Sequence, residues 1–304
     1  TLYPLILDAL GGGKVSVGAP FFNTTFIPLI VPAMLAAVVG AMLTWKRADL
    51  GAVLSRLKVA LLSAVIVTLS TAWVSGGLSD IIAAVGLGIS AWLIIGSATE
   101  LTERIYLFRY PLPKSLRRAA DLPRSFWGMI IAHSALGIMV AGITASSAWK
   151  VEKIQLMGLG DTVSVAGYEV KFEGTRLING PNYRAERGIF VVSKSGKTLM
   201  SLMPEKREYP AERGQTTEAG IKTMFMGDLY VVLGEKSTAS SRDGDKWSTR
   251  IYFNPLVAWI WGGAILLALG GIISLTDRRH RTGIPTTAKK FKLRQGPVSG
   301  SKGG

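Results

Sequence analysis

The chain has no cysteine and only two histidines among 304 residues. Without Cys there is no disulfide, thiolate metal site, iron–sulfur cluster or cysteine nucleophile. Two His cannot build a three-His metal site or an HExxH helix. Charge is scarce as well: 18% of residues are charged while 48% are hydrophobic, where an ordinary soluble domain runs nearer about 25% charged. The balance argues against a disordered chain and against an ordinary soluble domain. The apolar stretches hold no paired carboxylates, which argues against a glycosidase-like or proton-pump site within them.

Long hydrophobic runs are what the chain has instead. Five stretches reach the length of about 20 apolar residues that a bilayer demands: Thr24 to Leu43, Leu57 to Val74, Ile81 to Ala98, Phe126 to Ala148 and Leu256 to Leu275. The first has no basic leader or cleavage site and reads as a span, not a signal peptide. The formal charge of +15 is concentrated between and after these spans. Lys46, Arg47, Arg56 and Lys58 follow the first span, and Arg104, Arg109, Lys114, Arg117, Arg118 and Arg124 follow the third. A basic tail that includes Arg278, Arg279, Arg281, Lys289 and Lys290 follows the fifth. By the positive-inside rule these three segments face the cytoplasm. The N-terminus and the stretch between spans four and five then face outside. The charge therefore reads as topology with membrane lipid as neighbour, and nucleic acid is not an expected partner.

The domain organisation follows. Residues 1–148 form a membrane region with four transmembrane helices, 149–253 an outside domain, 254–276 the fifth helix, and 277–304 a basic cytoplasmic tail expected to be disordered. In the outside domain the apolar period is two. Tyr168 to Glu173 alternates apolar and charged residues, the pattern of a half-buried strand. Ile189 to Val192 and Thr198 to Met203 flank Ser193 to Lys197 as a hairpin, and Asp228 to Leu233 pairs with Trp247 to Phe253 across a loop with Asp243-Gly244. The fold class is a polytopic α-helical membrane protein of about five transmembrane helices, with a small extracytoplasmic all-β domain between helices four and five. The charged run Glu205-Lys206-Arg207-Glu208 reads as a solvated loop or, alternatively, a docking surface. Gly11-Gly12-Gly13-Lys14 lacks phosphate-loop spacing and is expected to be a loop.

His133 stands inside the fourth span, roughly 10 Å from its Phe126 end. An imidazole in hydrocarbon is costly without a partner, so it marks either a cofactor ligand or a hydrogen bond to a neighbouring helix. Met129, Gly137 and Ala141, at i−4, i+4 and i+8, share its face. Small residues beside an imidazole suit a flat apolar macrocycle such as haem, and they suit close helix packing equally well. His280, in the basic flank, reads as a solvated side chain. Rival readings are a transporter component, for which Pro28 and Pro32 would break the first span, and a membrane-anchored partner-binding module without haem.

Several ordered strings resemble the C-terminal portion of the CcmF family, the haem lyase component of bacterial cytochrome c maturation. They include Leu2-Tyr3-Pro4-Leu5, Phe126-Trp127-Gly128 through His133, Gly180-Pro181-Asn182-Tyr183, Asp228-Leu229-Tyr230, Arg250-Ile251-Tyr252 with Asn254-Pro255-Leu256-Val257, and Trp259-Ile260-Trp261 through Asp277-Arg278-Arg279. The resemblance implies an inner-membrane protein with a periplasmic domain, taking part in covalent attachment of haem to apocytochrome c. The implied partners are the haem chaperone CcmE, CcmH, CcmI and apocytochrome c. It implies a b-type haem with His133 as one axial ligand to the iron and with Met129 and Gly137 on the haem-facing surface. The second axial His is expected from the N-terminal half of the same protein. The family's tryptophan-rich segment, its external His pair and its first transmembrane His have no counterpart here. The chain is therefore expected to be a part or split product, without a complete lyase active site.

Overall fold

The computed structural model describes residues 3–12, 18–43, 49–76, 80–210, 214–237 and 245–277. Lys14, Lys46, Arg47, the Asp243-Gly244 turn, His280 and the basic tail lie outside the described residues.

The helices are α1 (Tyr3–Ala9), α2 (Ala19–Met42), α3 (Leu50–Arg56), α4 (Lys58–Ser75), α5 (Ile81–Ile105), α6 (Leu112–Ala120), α7 (Arg124–Ala148) and α8 (Val257–Leu275). Of these, α2, α4, α5, α7 and α8 are long and apolar enough to cross a membrane. The chain is a multi-pass membrane protein. Large apolar side chains stay exposed along the spans, Leu29 at 74%, Leu69 at 64% and Ile265 at 61%, which marks lipid-facing surface. Pro28 and Pro32 do not break the first span: both lie inside the continuous helix α2. Apolar helices tolerate proline where neighbours re-satisfy the freed backbone groups. α5 also runs past Ala98 to Ile105, carrying Glu100, Glu103 and Arg104 with it. Polarity ends a hydropathy run sooner than it ends a helix.

The helices meet where side chains are small or where indole nitrogens find carbonyls. Trp92 of α5 donates its Nε1 proton to the Leu35 oxygen of α2 at 3.2 Å. Met34, Val38, Leu57, Ile89 and Leu93 fill the space around this contact. α7 and α8 approach more closely still. A Cβ on Gly128 would stand 2.5 Å from the Gly270 oxygen, and one on Gly270 would stand 2.7 Å from the Gly128 oxygen. Gly142 and Gly263 are enclosed by partner backbone in the same way. The seven-residue spacing of Gly263 and Gly270, facing Gly128, Ala135 and Gly142, makes a small-residue seam. Such seams let membrane helices gain van der Waals contact that lipid cannot supply.

Between α7 and α8 the chain builds a β-sandwich. Its strands are β1 (Val151–Met157), β2 (Thr162–Val165), β3 (Tyr168–Asn179), β4 (Arg184–Lys194), β5 (Lys197–Leu202), β6 (Glu205–Tyr209), β7 (Gly214–Glu218), β8 (Gly220–Met224), β9 (Gly227–Lys236) and β10 (Trp247–Pro255). One sheet has the order β1-β10-β9-β8, and the other β2-β3-β4-β6-β7 with β5 also on β4. In β3, Val170 and Phe172 point inward while Glu169, Lys171 and Glu173 face water, the alternation expected from sequence. Phe172 stacks on Phe190 of β4 with ring centroids 4.8 Å apart. Each such buried ring contributes about 2–3 kcal/mol. The β4–β5 hairpin is tighter than its residue pattern suggested. Ser195 and Gly196 alone turn the chain, both at positive φ (50° and 75°), as a two-residue hairpin requires.

The charged run at Glu205 is not a loop. It forms β6, paired with β4 and β7. Glu205 is 6% exposed and sits between two guanidiniums, with Arg187 Nε donating to Oε1 at 2.8 Å and Arg207 Nε donating to Oε2 at 2.8 Å. Burial alone would raise its pKa, but the hydrogen bonds from Arg207 and Arg187 outweigh it and hold the carboxyl below its ordinary range.

Candidate functional site

His133 lies nine residues into α7, about 13 Å from the Arg124 end at an α-helical rise. The glycines show which way α7 faces. Gly128, Gly142 and the main chain of Met139 and Ala135 meet α8. Gly137 meets α5, where a Cβ would stand 2.7 Å from Ile94 Cγ1 and 3.0 Å from the Ser90 oxygen. Thr144 packs against Gly86 of α5. α7 is therefore held between α5 and α8 on opposite sides. One turn from Gly137, His133 stands on the α5 side of the helix, half-buried. Leu136 and Val140, on the same side, pack against the α2–α5 apolar cluster.

The imidazole makes no hydrogen bond or ion pair with another described residue. The other His, His280, lies outside them, and no cluster of three or more metal-ligating side chains occurs among the described residues. Met129 is half-buried one turn before His133. Gly137 and Ala141 are buried, and at Gly137 it is α5 that occupies the space the missing side chain leaves. The sequence put three neighbours on one face of His133. In the structure Gly137 sets the α5–α7 distance, and Met129 lies one helical turn before His133.

A second feature lies where the sandwich meets the membrane helices. A groove of about 580 Å³ runs over the outer face of the four-stranded sheet. It is lined by Lys150, Thr217, Tyr230, Arg250, Tyr252 and Asn254, among others. Tyr230 and Tyr252 are cross-strand partners in edge-to-face contact, centroids 5.6 Å apart. Lys150 Nζ lies 4.4 Å from the centre of the Tyr252 ring. Ile154 and Leu156 of β1 are exposed on the same face, at 57% and 54%. Apolar, aromatic and cationic groups together make a surface suited to protein recognition. The alternation of β9 and β10 could have shown these residues as one outward face; the strand order that gathers them could not be read from it.

Asp228 sits at the end of this sheet beside the β8–β9 turn. Burial raises its pKa, opposed by hydrogen bonds from Thr223 and the Met224 backbone. The turn itself is fastened to α8. Trp259 Nε1 donates to the Phe225 oxygen at 3.1 Å, and the Leu256 N–H donates to the Met226 oxygen at 3.0 Å.

Comparison with known proteins agrees with this architecture. Residues 148–255 match the family model described as the CcmF C-terminal beta-sandwich. The chain is 43% identical over 290 residues to the cytochrome c-type biogenesis protein CycK of Bradyrhizobium diazoefficiens, covering 95% of this chain and 43% of that one. It is 37% identical to CcmF of Pseudomonas aeruginosa (95% and 42% covered) and 33% identical to CcmF of Escherichia coli (92% and 41%). A solved structure titled Cytochrome c Heme Lyase CcmF superposes with a TM-score of 0.64 at 24% identity, over 91% of this chain and 42% of that one. The chain thus spans about two-fifths of the length of these relatives. Residues 148–255 thus match the CcmF C-terminal β-sandwich, and nearly the whole chain is similar to about two-fifths of CcmF and CycK.

Proposed function

We propose that this chain serves cytochrome c-type biogenesis as the part of a haem lyase that holds a b-type haem in the membrane and docks partners outside it. His133 carries the reading: a half-buried imidazole in an apolar helix, with no hydrogen bond to another described residue, is free to offer a ring nitrogen to a metal. Met129 supplies apolar wall beside it. Gly137 serves by bringing α5 against α7, which fixes the backbone from which the imidazole projects. The chain offers one ligand, and the other belongs to the N-terminal half of the same protein. A b-type haem bound there supplies one-electron chemistry.

The positive-inside pattern supports an inner membrane location with the sandwich in the periplasm. There the groove of Lys150, Tyr230, Arg250 and Tyr252 is the docking surface for the haem chaperone CcmE, for CcmH and CcmI, or for apocytochrome c. In this reading the chain contributes a ligand and a scaffold to thioether formation.

The test is to co-express the chain with its N-terminal complement and replace His133 by Ala. The b-type absorbance should be lost, and added imidazole should restore part of it. Undiminished absorbance without imidazole rejects the ligand assignment. The groove favours a second reading, a partner-binding module without haem. That reading predicts full partner capture in the haem-free His133→Ala protein and its loss in Tyr252→Ala.

A further inference from the structure

The short helix α6 has no role in that reading. It joins the end of α5 to the start of α7, so it lies at a membrane face whichever way the spans run. It is nine residues long and amphipathic. Leu112 and Leu116, four apart, are exposed at 59% and 57%, and Phe108 just before is 89% exposed. Lys114 and Arg117, also exposed, stand on the opposite side. Large apolar groups beside cations at the end of a span suit the boundary between headgroups and acyl chains.

Hydrogen bonds at both ends tie the helix to its neighbours. Ser115 is fully buried and donates its hydroxyl to the Tyr106 oxygen at 3.3 Å. At the other end Trp127 of α7 donates its Nε1 proton to the Ala119 oxygen at 3.1 Å. Tyr106 takes the left-handed conformation, φ 56°, which ends α5 and turns the chain along the surface. Two of the cations rest on aromatic rings. The Arg118 guanidinium lies 4.8 Å from the Tyr106 ring centre and 4.4 Å from that of Tyr110, and Lys114 Nζ lies 4.4 Å from Tyr110. Beside them opens a cleft of about 900 Å³ whose lining includes Arg56, Arg104 and Arg109, with Glu100 and Glu103 at its wall. Glu103 is already paired with Arg56 at 3.7 Å. Between Tyr106 and Pro123 four basic residues face one acid, Asp121.

We propose that α6 and the Tyr106–Tyr110 turn form a surface selective for anionic phospholipid, with Phe108, Leu112 and Leu116 in the acyl boundary and Lys114, Arg117 and Arg118 on the headgroup phosphates. Charge complementarity and the placement of the helix between two span ends single out lipid over a soluble partner. The inference rests on α5 and α7 being membrane spans and is independent of haem.

The experiment reconstitutes the full chain in phosphatidylcholine vesicles with a trace of spin-labelled phosphatidylglycerol or spin-labelled phosphatidylcholine. The immobilised fraction of each label is read by electron paramagnetic resonance. The wild type should prefer phosphatidylglycerol by at least about fivefold, the effect of a single fully engaged cation. Lys114→Gln with Arg117→Gln, both exposed, Lys114 resting only against the Tyr110 ring, should cut the preference at least by half. A matched pair in the sandwich, Lys197→Gln with Lys222→Gln, should leave it unchanged. A wild type without headgroup preference assigns the helix to a soluble acidic partner and overturns the proposal. A preference that survives the α6 pair, or falls equally with the sandwich pair, overturns it as well.

Discussion

The Ser90 hydroxyl donates to the Gly137 main-chain oxygen at 2.8 Å, joining α5 to α7 across 47 positions of sequence. It does so one turn from His133, where the glycine lets the two backbones meet.

Removing that bond should cost little. Interhelical hydrogen bonds within membranes average about 0.6 kcal/mol, so Ser90→Ala should lower stability by about that amount in an unfolding titration in mixed micelles. Ser90 is 4% exposed, so Ser90→Leu has no room. It should push α5 away from α7 and cost about 1–3 kcal/mol.

The α7–α8 seam should be less forgiving. A Cβ at Gly128 or Gly270 meets backbone oxygen, which cannot swing aside. Gly128→Val and Gly270→Val should each destabilise the chain by about 3 kcal/mol or slightly more, whereas Gly271→Ala, with nothing within 4 Å, should be close to neutral. Melting temperatures in one detergent would separate the three.

Glu205 predicts an acid response. Its folded pKa is held below the ordinary value near 4.5. Its stabilising contribution is therefore complete above about pH 4.5 and fades as the pH falls through the lower folded value. Glu205→Gln should cost about 3 kcal/mol at neutral pH, because two guanidiniums lose their buried partner. The gap between variant and wild type should narrow steadily in denaturant titrations carried below about pH 4.5.

Asp228 should show the opposite sign. Its folded pKa is raised by burial, so ionisation costs stability as pH rises through the unfolded value. Its Oδ1 is buried without a hydrogen-bond partner. Asp228→Asn should therefore be neutral or slightly stabilising at pH 7, by less than about 1 kcal/mol, and lose that advantage in acid.

The spans were legible because hydrocarbon thickness sets their length and no other constraint writes such long apolar runs. The half-buried strand at Tyr168 was legible because its period is two and its faces see different solvents. α6 escaped notice: nine residues with two leucines are too few to stand out from the basic segment that holds them. Glu205 misled for a related reason. Four charged residues in a row read as solvated, and nothing local shows that Arg187, 18 positions away, will enclose one of them. His133 was visible at once, since an ionisable side chain in an apolar run has no local cause. The role of Gly137 needed the position of α5, which periodicity along α7 cannot supply.

The sandwich leaves α7 through β1 and returns to α8 through β10, and these strands are paired neighbours, Val151 opposite Phe253. Its two attachments thus stand about 5 Å apart, directly above two helices locked together by glycines. The only covalent links between domain and bilayer among the described residues are therefore these two neighbouring strands, and the first of them continues from α7, the helix that bears His133 and packs on α5 at Gly137.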